Sequence, residues 1–142
     1  MNVLITGGTK GIGKAAALRF AAPGNNIFMN YVHDDHSANI SFSEVEKTGA
    51  IPHLLKYDVG NVHEVSEMAR SIESKVDHLD VIVHCAVSAI KGDALEIGHK
   101  DWMRAVEVSS LSLINVVREC RPLLKTGSSI IALSSKGSVK AV

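Results

Sequence analysis

The chain has 142 residues, 46% hydrophobic and 21% charged, and its 15 basic and 15 acidic side chains cancel to a formal net charge of zero. That length and balance suit one soluble domain with a real core and argue against a general nucleic-acid or membrane-surface binder. No apolar run reaches the ~20 residues that span a bilayer, and the opening stretch enters a strand-like run with no basic leader or cleavage site. Two widely separated cysteines, Cys85 and Cys120, fit reduced thiols in the cytoplasm better than a disulfide framework. None of the seven histidines shows the spacing of a zinc site, so no metal is expected.

Short apolar runs alternate with longer amphipathic stretches, the pattern of βαβ units. In chain order, Val3 to Thr6 reads as a strand and Gly11 to Ala22 as a helix closed by Pro23-Gly24. Ile27 to Tyr31 reads as a second strand, Ser37 to Thr48 as a second helix and Ile51 to Tyr57 as a third strand. Val62 to Val76 forms a third helix, with Val62, Val65, Ala69 and Ile72 on one face. Val81 to Cys85 is the fourth strand, Lys100 to Leu124 one long helix punctuated at Pro122, and Ser129 to Ser134 the fifth strand. The runs VLIT, VIVHC and SIIALS are nearly continuous apolar strands, as in a parallel sheet buried on both faces. A Rossmann-type, doubly wound parallel α/β sheet with helices on both faces follows.

Between the first strand and helix lies Thr6-Gly7-Gly8-Thr9-Lys10-Gly11-Ile12-Gly13. Gly7 permits a sharp turn off the strand, Gly11 clears room for a pyrophosphate, and Gly13 lets the helix lie close to the sheet. The helix N-terminus then presents unpaired N–H groups to phosphates.

This segment resembles the TGxxxGIG motif of the short-chain dehydrogenase/reductase family. Further similarities follow in order: Asp58-Val59 after the third strand, Leu79 to Ala86 for the LDxLVNNAG strand, Val108-Ser109 for the helical Val-Asn, and Ile130 to Ser135 for the strand ending in a catalytic serine. The resemblance implies cofactor contacts from Gly7, Thr9, Lys10, Gly11, Ile12, Gly13, Tyr31, Val32, His33, Asp58, Val59, His84, Cys85, Ala86 and Val108, with Asp58 on the adenine amine. It implies catalytic roles for Ser135, which orients substrate, and for Ser109, which replaces the asparagine that holds a relay water.

NAD(H) enzymes usually place a carboxylate at the tip of the second strand. Here the strand ends Met29-Asn30-Tyr31-Val32-His33, while Asp34 and Asp35 read as part of a solvated loop. Lys10 is similar to the basic residue of NADP-dependent members, and His33 adds a donor, so NADP(H) is expected over NAD(H).

The family's Tyr/Lys pair is not found: the chain holds only Tyr31 and Tyr57, neither followed by a suitably spaced lysine. The fold is therefore expected to be truncated after its fifth strand, which is left as an uncovered apolar edge. The natural product is expected to continue for roughly another hundred residues, and these 142 residues to be inactive alone. Val87 stands where the family has glycine, and a positive φ is disfavoured there. Cys85 reads as a small buried hydrophobe rather than a reactive thiol. His84 to Ala89, Ser134 to Val139 and the aromatic Trp102 are similar to short-chain-type enoyl-acyl-carrier-protein reductases, which use NADPH. The expected function is an NADPH-dependent enoyl thioester reductase. The alternatives are a 3-oxoacyl thioester or other carbonyl reductase, or a non-catalytic NADP(H)-binding sensor or structural protein. The family's common assembly implies a homodimer or homotetramer when full-length.

Overall fold

A computed structural model describes residues 1–90, 92, 93 and 95–135. Five parallel strands form one sheet in the order β3-β2-β1-β4-β5. They are β1 (Asn2–Thr6), β2 (Asn26–Tyr31), β3 (Ile51–Lys56), β4 (Leu79–His84) and β5 (Leu124–Ala132). The strand order reverses between β1 and β4, the switch point at which a doubly wound sheet opens a crevice beyond its strand ends.

Alternation along β1 assigns the two faces. Leu4, Phe28, Leu55 and Ile82 turn to a core shared with α3 (Val62–Glu73) and with Val108, Val116 and Cys120 of the long helical segment. Val3, Ile5, Ile27, Met29, Val81 and Val83 turn the other way, onto Ala17 of α1 (Gly11–Phe20) and Val45 of α2 (Asp35–Glu46). Both faces of β1 and β4 are buried, which explains their unbroken apolar composition.

Four expectations change. The helix at Lys100 to Leu124 is interrupted: α4 (His99–Val106) passes through a π-helical turn at Glu107–Leu111 into α5 (Ser112–Glu119). Pro122 sits in a single 3-10 turn, Arg121–Leu123, where its missing N–H costs nothing, and β5 starts there rather than at Ser129. On α3 the buried residues are Val65, Met68, Ala69 and Ile72, while Val62 is exposed because the helix is just leaving its cap. Asp34 and Asp35 do not lie in a loop. Asp34 caps α2 by accepting from the Ser37 N–H at 2.9 Å, and Asp35 opens the helix. The apolar edge is as expected: Ile130, Ile131 and Leu133 are 47%, 44% and 43% exposed.

Candidate functional site: a crevice at the β1/β4 switch point

The turn after β1 is built around absent side chains. Gly7 has φ +61°, a left-handed conformation that glycine adopts without strain, and it packs against the Cys85–Ala86 backbone. A Cβ on Gly13 would lie 2.1 Å from the Gly7 carbonyl oxygen, so only glycine lets α1 start this close to the turn. Gly11 differs: a Cβ there meets nothing within 4 Å, because the residue faces open space.

That space is a cavity of about 920 Å³. Its wall includes every residue expected to contact the cofactor, from Gly7 and Thr9 to Gly13, Tyr31 to His33, Asp58-Val59, His84 to Ala86 and Val108, together with Ser109 and Ser135. The N-terminus of α1 opens into it without a cap: Lys10 makes no side-chain cap bond and the first turn carries no acid. By contrast α2 and α3 are capped by Asp34 and Asn61. Free N–H groups and the positive dipole end are thus left for an anion.

Lys10 does not point free into the cavity. It forms an ion pair with Asp34. That pair, with the bonds from Ser37, holds the Asp34 carboxyl well below the usual carboxylate range. Tyr31 donates to Asp35 at 2.9 Å, and Lys56 pairs with the same carboxylate at 2.8 Å. Asp58 is engaged as well. Burial alone would raise its pKa, but Arg104 reaches both of its oxygens at 2.8 and 2.7 Å and Gly60 N–H donates to it, so the net shift is downward. Gly60 makes room for this arrangement, since a Cβ there would sit 2.4 Å from the Arg104 guanidinium.

Sequence reasoning passed over the residues that hold the wall in place. Asn30 accepts from Gly8 N–H through its main-chain carbonyl at 2.9 Å, and its buried side-chain amide donates to the carbonyls of Leu55 and Tyr57. Ser41 on α2 donates to the Thr9 carbonyl at 2.8 Å. A polar side chain in an apolar strand, like Asn30 in NIFMNY, was the available signal. Arg104, Ser41 and Ser112 carry no local signal, because each acts across distant elements. On the opposite wall Ser109 accepts from Ser88 N–H at 3.1 Å. Cys85 is partly buried, and burial raises its thiol pKa, which suits the packing role expected of it. Val87 adopts no positive φ. The Lys136 to Val139 part of the terminal motif lies outside the described residues. Among the described residues, no cluster of metal-ligating side chains occurs and no helix is long and apolar enough to cross a membrane.

A sequence profile described as Enoyl-(Acyl carrier protein) reductase matches residues 7–142. The chain belongs to the short-chain dehydrogenase/reductase family. It is 30% identical over 132 residues to a hydroxynaphthalene reductase-like protein, Arp2, of Metarhizium acridum, covering 93% of this chain and 49% of that protein. It is 26% identical over 136 residues to the 3-oxoacyl-[acyl-carrier-protein] reductase FabG of Staphylococcus aureus, covering 94% and 55%. The chain thus spans about half the length of the curated relatives it matches. In fold it superposes on a Burkholderia cenocepacia short-chain dehydrogenase in complex with NADP, with TM-score 0.92, 22% identity and coverage of 99% of this chain and 57% of that one. It also superposes on an NADH-dependent reductase complexed with NAD, with TM-score 0.84, 21% identity and coverage of 94% and 59%.

Proposed function

We propose that this short-chain dehydrogenase/reductase chain binds a nicotinamide dinucleotide, NADP(H) in preference to NAD(H), and serves a reductase acting on an enoyl thioester. The observation that carries the reading is the uncapped start of α1, opening between Gly7 and Gly13 into a cavity of dinucleotide size beside Lys10. The residues present fit the group: Gly11 leaves the approach to the helix N-terminus clear, and both walls come from the switch point.

When bound, the reduced nicotinamide supplies a hydride. The chain's own residues bind and orient. The α1 N–H groups would hold the pyrophosphate, Asp58 and Val59 the adenine, and the Cys85–Ala86 backbone the ribose. Ser135 would orient a substrate carbonyl oxygen and Ser109 a water, both from the cavity wall. For a 2′-phosphate, Lys10 exchanges Asp34 for the new anion; an exposed ion pair is weak enough to yield to a doubly charged group. The profile's description supports the enoyl substrate. The S. aureus relative favours a second reading, a 3-oxoacyl thioester. Both cysteines are free, in keeping with a reducing, cytoplasmic setting.

Fluorescence titration with NADPH and NADH tests the cofactor reading. Saturable binding that prefers NADPH is expected, and Lys10→Ala is expected to weaken NADPH about tenfold while leaving NADH within about twofold. Equal losses for both cofactors would remove Lys10 from 2′-phosphate recognition. The substrate is tested on the whole gene product by following NADPH consumption with an enoyl and with a 3-oxoacyl thioester. Turnover of the second alone replaces the enoyl reading. Tight binding with neither turned over points to a non-catalytic role.

A second copy of the chain is the proposed partner of the outer face of α4 and α5. There Trp102, Val106, Leu111 and Ile114 are 57%, 39%, 44% and 55% exposed along one segment. Sedimentation velocity is expected to show an oligomer in the native protein and a monomer after Trp102→Glu. A native monomer removes the proposal.

A further inference from the structure

Thr6, His84 and Ser112 form a closed chain of hydrogen bonds behind the cofactor turn, all buried, at 0%, 5% and 0% exposure. Their protons admit one arrangement. The Ser112 hydroxyl donates to the Val108 carbonyl at 2.6 Å, so its hydrogen is spent there. The contact of 2.8 Å between Ser112 Oγ and His84 Nε2 therefore has the imidazole as donor. His84 Nδ1 is then the acceptor, and at 2.9 Å it takes the Thr6 hydroxyl hydrogen. Thr6 Oγ1 keeps two lone pairs, which accept from the N–H groups of Cys85 at 3.2 Å and Ala86 at 3.1 Å. The Cys85 N–H is shared with the Thr6 main-chain carbonyl, also at 3.2 Å.

The relay ties three parts of the cavity wall together. It joins the end of β1, the Cys85–Ala86 backbone against which Gly7 packs, and the π-helical turn that carries Val108 and Ser109. Adding a proton to Nδ1 would set its N–H against Thr6 Oγ1, whose lone pairs are already committed. Thr6 Oγ1 would then have to give up one of its two amide donors; Cys85 keeps its bond to the Thr6 main-chain carbonyl at 3.2 Å, so the anchor that loosens is the one at Ala86, against which Gly7 packs.

We propose that His84 is a positioning residue whose neutral Nε2–H tautomer, clamped between Thr6 and Ser112, makes dinucleotide binding by this chain fall away as the medium turns acidic. An asparagine at the same place would not impart that dependence. Its carbonyl oxygen can stand in for Nδ1 as the acceptor from Thr6, and it has no proton to gain. The inference rests on the dinucleotide reading above.

The charged and titratable groups around the relay do not offset this effect. Cys85 follows His84 just past the end of β4, Lys10 lies on the turn after β1, the Asp58–Arg104 pair across the cavity, and Glu107 on the π-helical turn. Lys125 of β5 sits at the far end of that strand near Asp77. The imidazole is shifted by burial alone, which lowers its pKa from the ordinary value of 6.5. The sign follows. Above that value His84 is neutral whether the wall is ordered or loose, and the anchored state carries no penalty. Below it the loosened state gains a proton that the anchored state rejects, so competence falls as pH falls.

The test is calorimetric titration of the 142-residue chain with NADP⁺ between pH 8 and pH 5.5, alongside His84→Asn, with thermal melts at each pH to show that both proteins stay folded. NADP⁺ serves because its own phosphate titrates identically in both titrations and cancels in their ratio. One proton sets the ceiling, so wild-type affinity is expected to drop severalfold, up to about tenfold, more than that of His84→Asn by one unit below the ordinary histidine value. Parallel profiles overturn the proposal. Absence of wild-type binding at pH 8 overturns the dinucleotide reading instead. If His84→Asn fails to fold, nitrogen-15 NMR of the wild-type imidazole decides: an Nε2–H neutral ring at pH 7.5 that loses the signature together with NADP⁺ binding supports it, and an Nδ1–H or charged ring there overturns it.

Discussion

Gly13→Ala is expected to weaken dinucleotide binding by roughly two orders of magnitude. The added methyl carbon would sit 2.1 Å from the Gly7 carbonyl oxygen and 2.8 Å from its carbonyl carbon, both backbone atoms of the turn itself. Neither swings aside as a flexible side chain would. The first turn of α1 must therefore move off the sheet, taking with it the N–H groups that face the cavity. Overpacking against fixed backbone costs about 3 kcal/mol, which corresponds to a loss of roughly two orders of magnitude in affinity if it falls wholly on the bound turn. Fluorescence titration with NADPH measures the loss and a thermal melt separates it from global unfolding. A variant that binds like the native chain would show that α1 does not start where the structure puts it.

Phe28→Ala is expected to produce the largest loss of stability from a single core change. Phe28 is fully buried in the middle of β2, and its ring packs in the core with Leu4, Leu55 and Ile82. It also stacks on His53 with centroids 4.5 Å apart. Truncating a buried phenylalanine costs about 3–5 kcal/mol through lost transfer energy and the cavity left behind. That is a large share of the roughly 5–15 kcal/mol by which a domain of this kind is stable. Urea denaturation gives the difference directly. A change under about 1 kcal/mol would mean that the β2 core is far looser than described.

Much of the fold was legible along the chain because parallel strands and amphipathic helices write themselves locally. VLIT and VIVHC had to be buried on two faces, and Val65, Ala69 and Ile72 had to share one. The glycine turn was legible for a similar reason, since each glycine answers a local steric demand. The long helix was misjudged because a π-helical turn has no strong sequence mark. It arises where Ser112 bonds back to Val108 and on to His84, a partner 28 residues away. Asp34 and Asp35 looked like loop residues until α2 began on them, because a capping aspartate and a loop aspartate look alike before the helix is placed.

By itself, then, the sequence determined the α/β architecture, the strand and helix order, and the glycine-built turn from Gly7 to Gly13. These depend on periodicity and on backbone freedom, which are properties of neighbours in the chain. Tertiary structure alone decided which charges are already paired and which protons are already spent. Lys10 meets Asp34, Arg104 meets Asp58 across 46 residues, and Thr6 meets His84 across 78. Hydrogen bonds and ion pairs act over a few ångströms, so only the folding that brings β1, β4 and the long helix together at one switch point determines them.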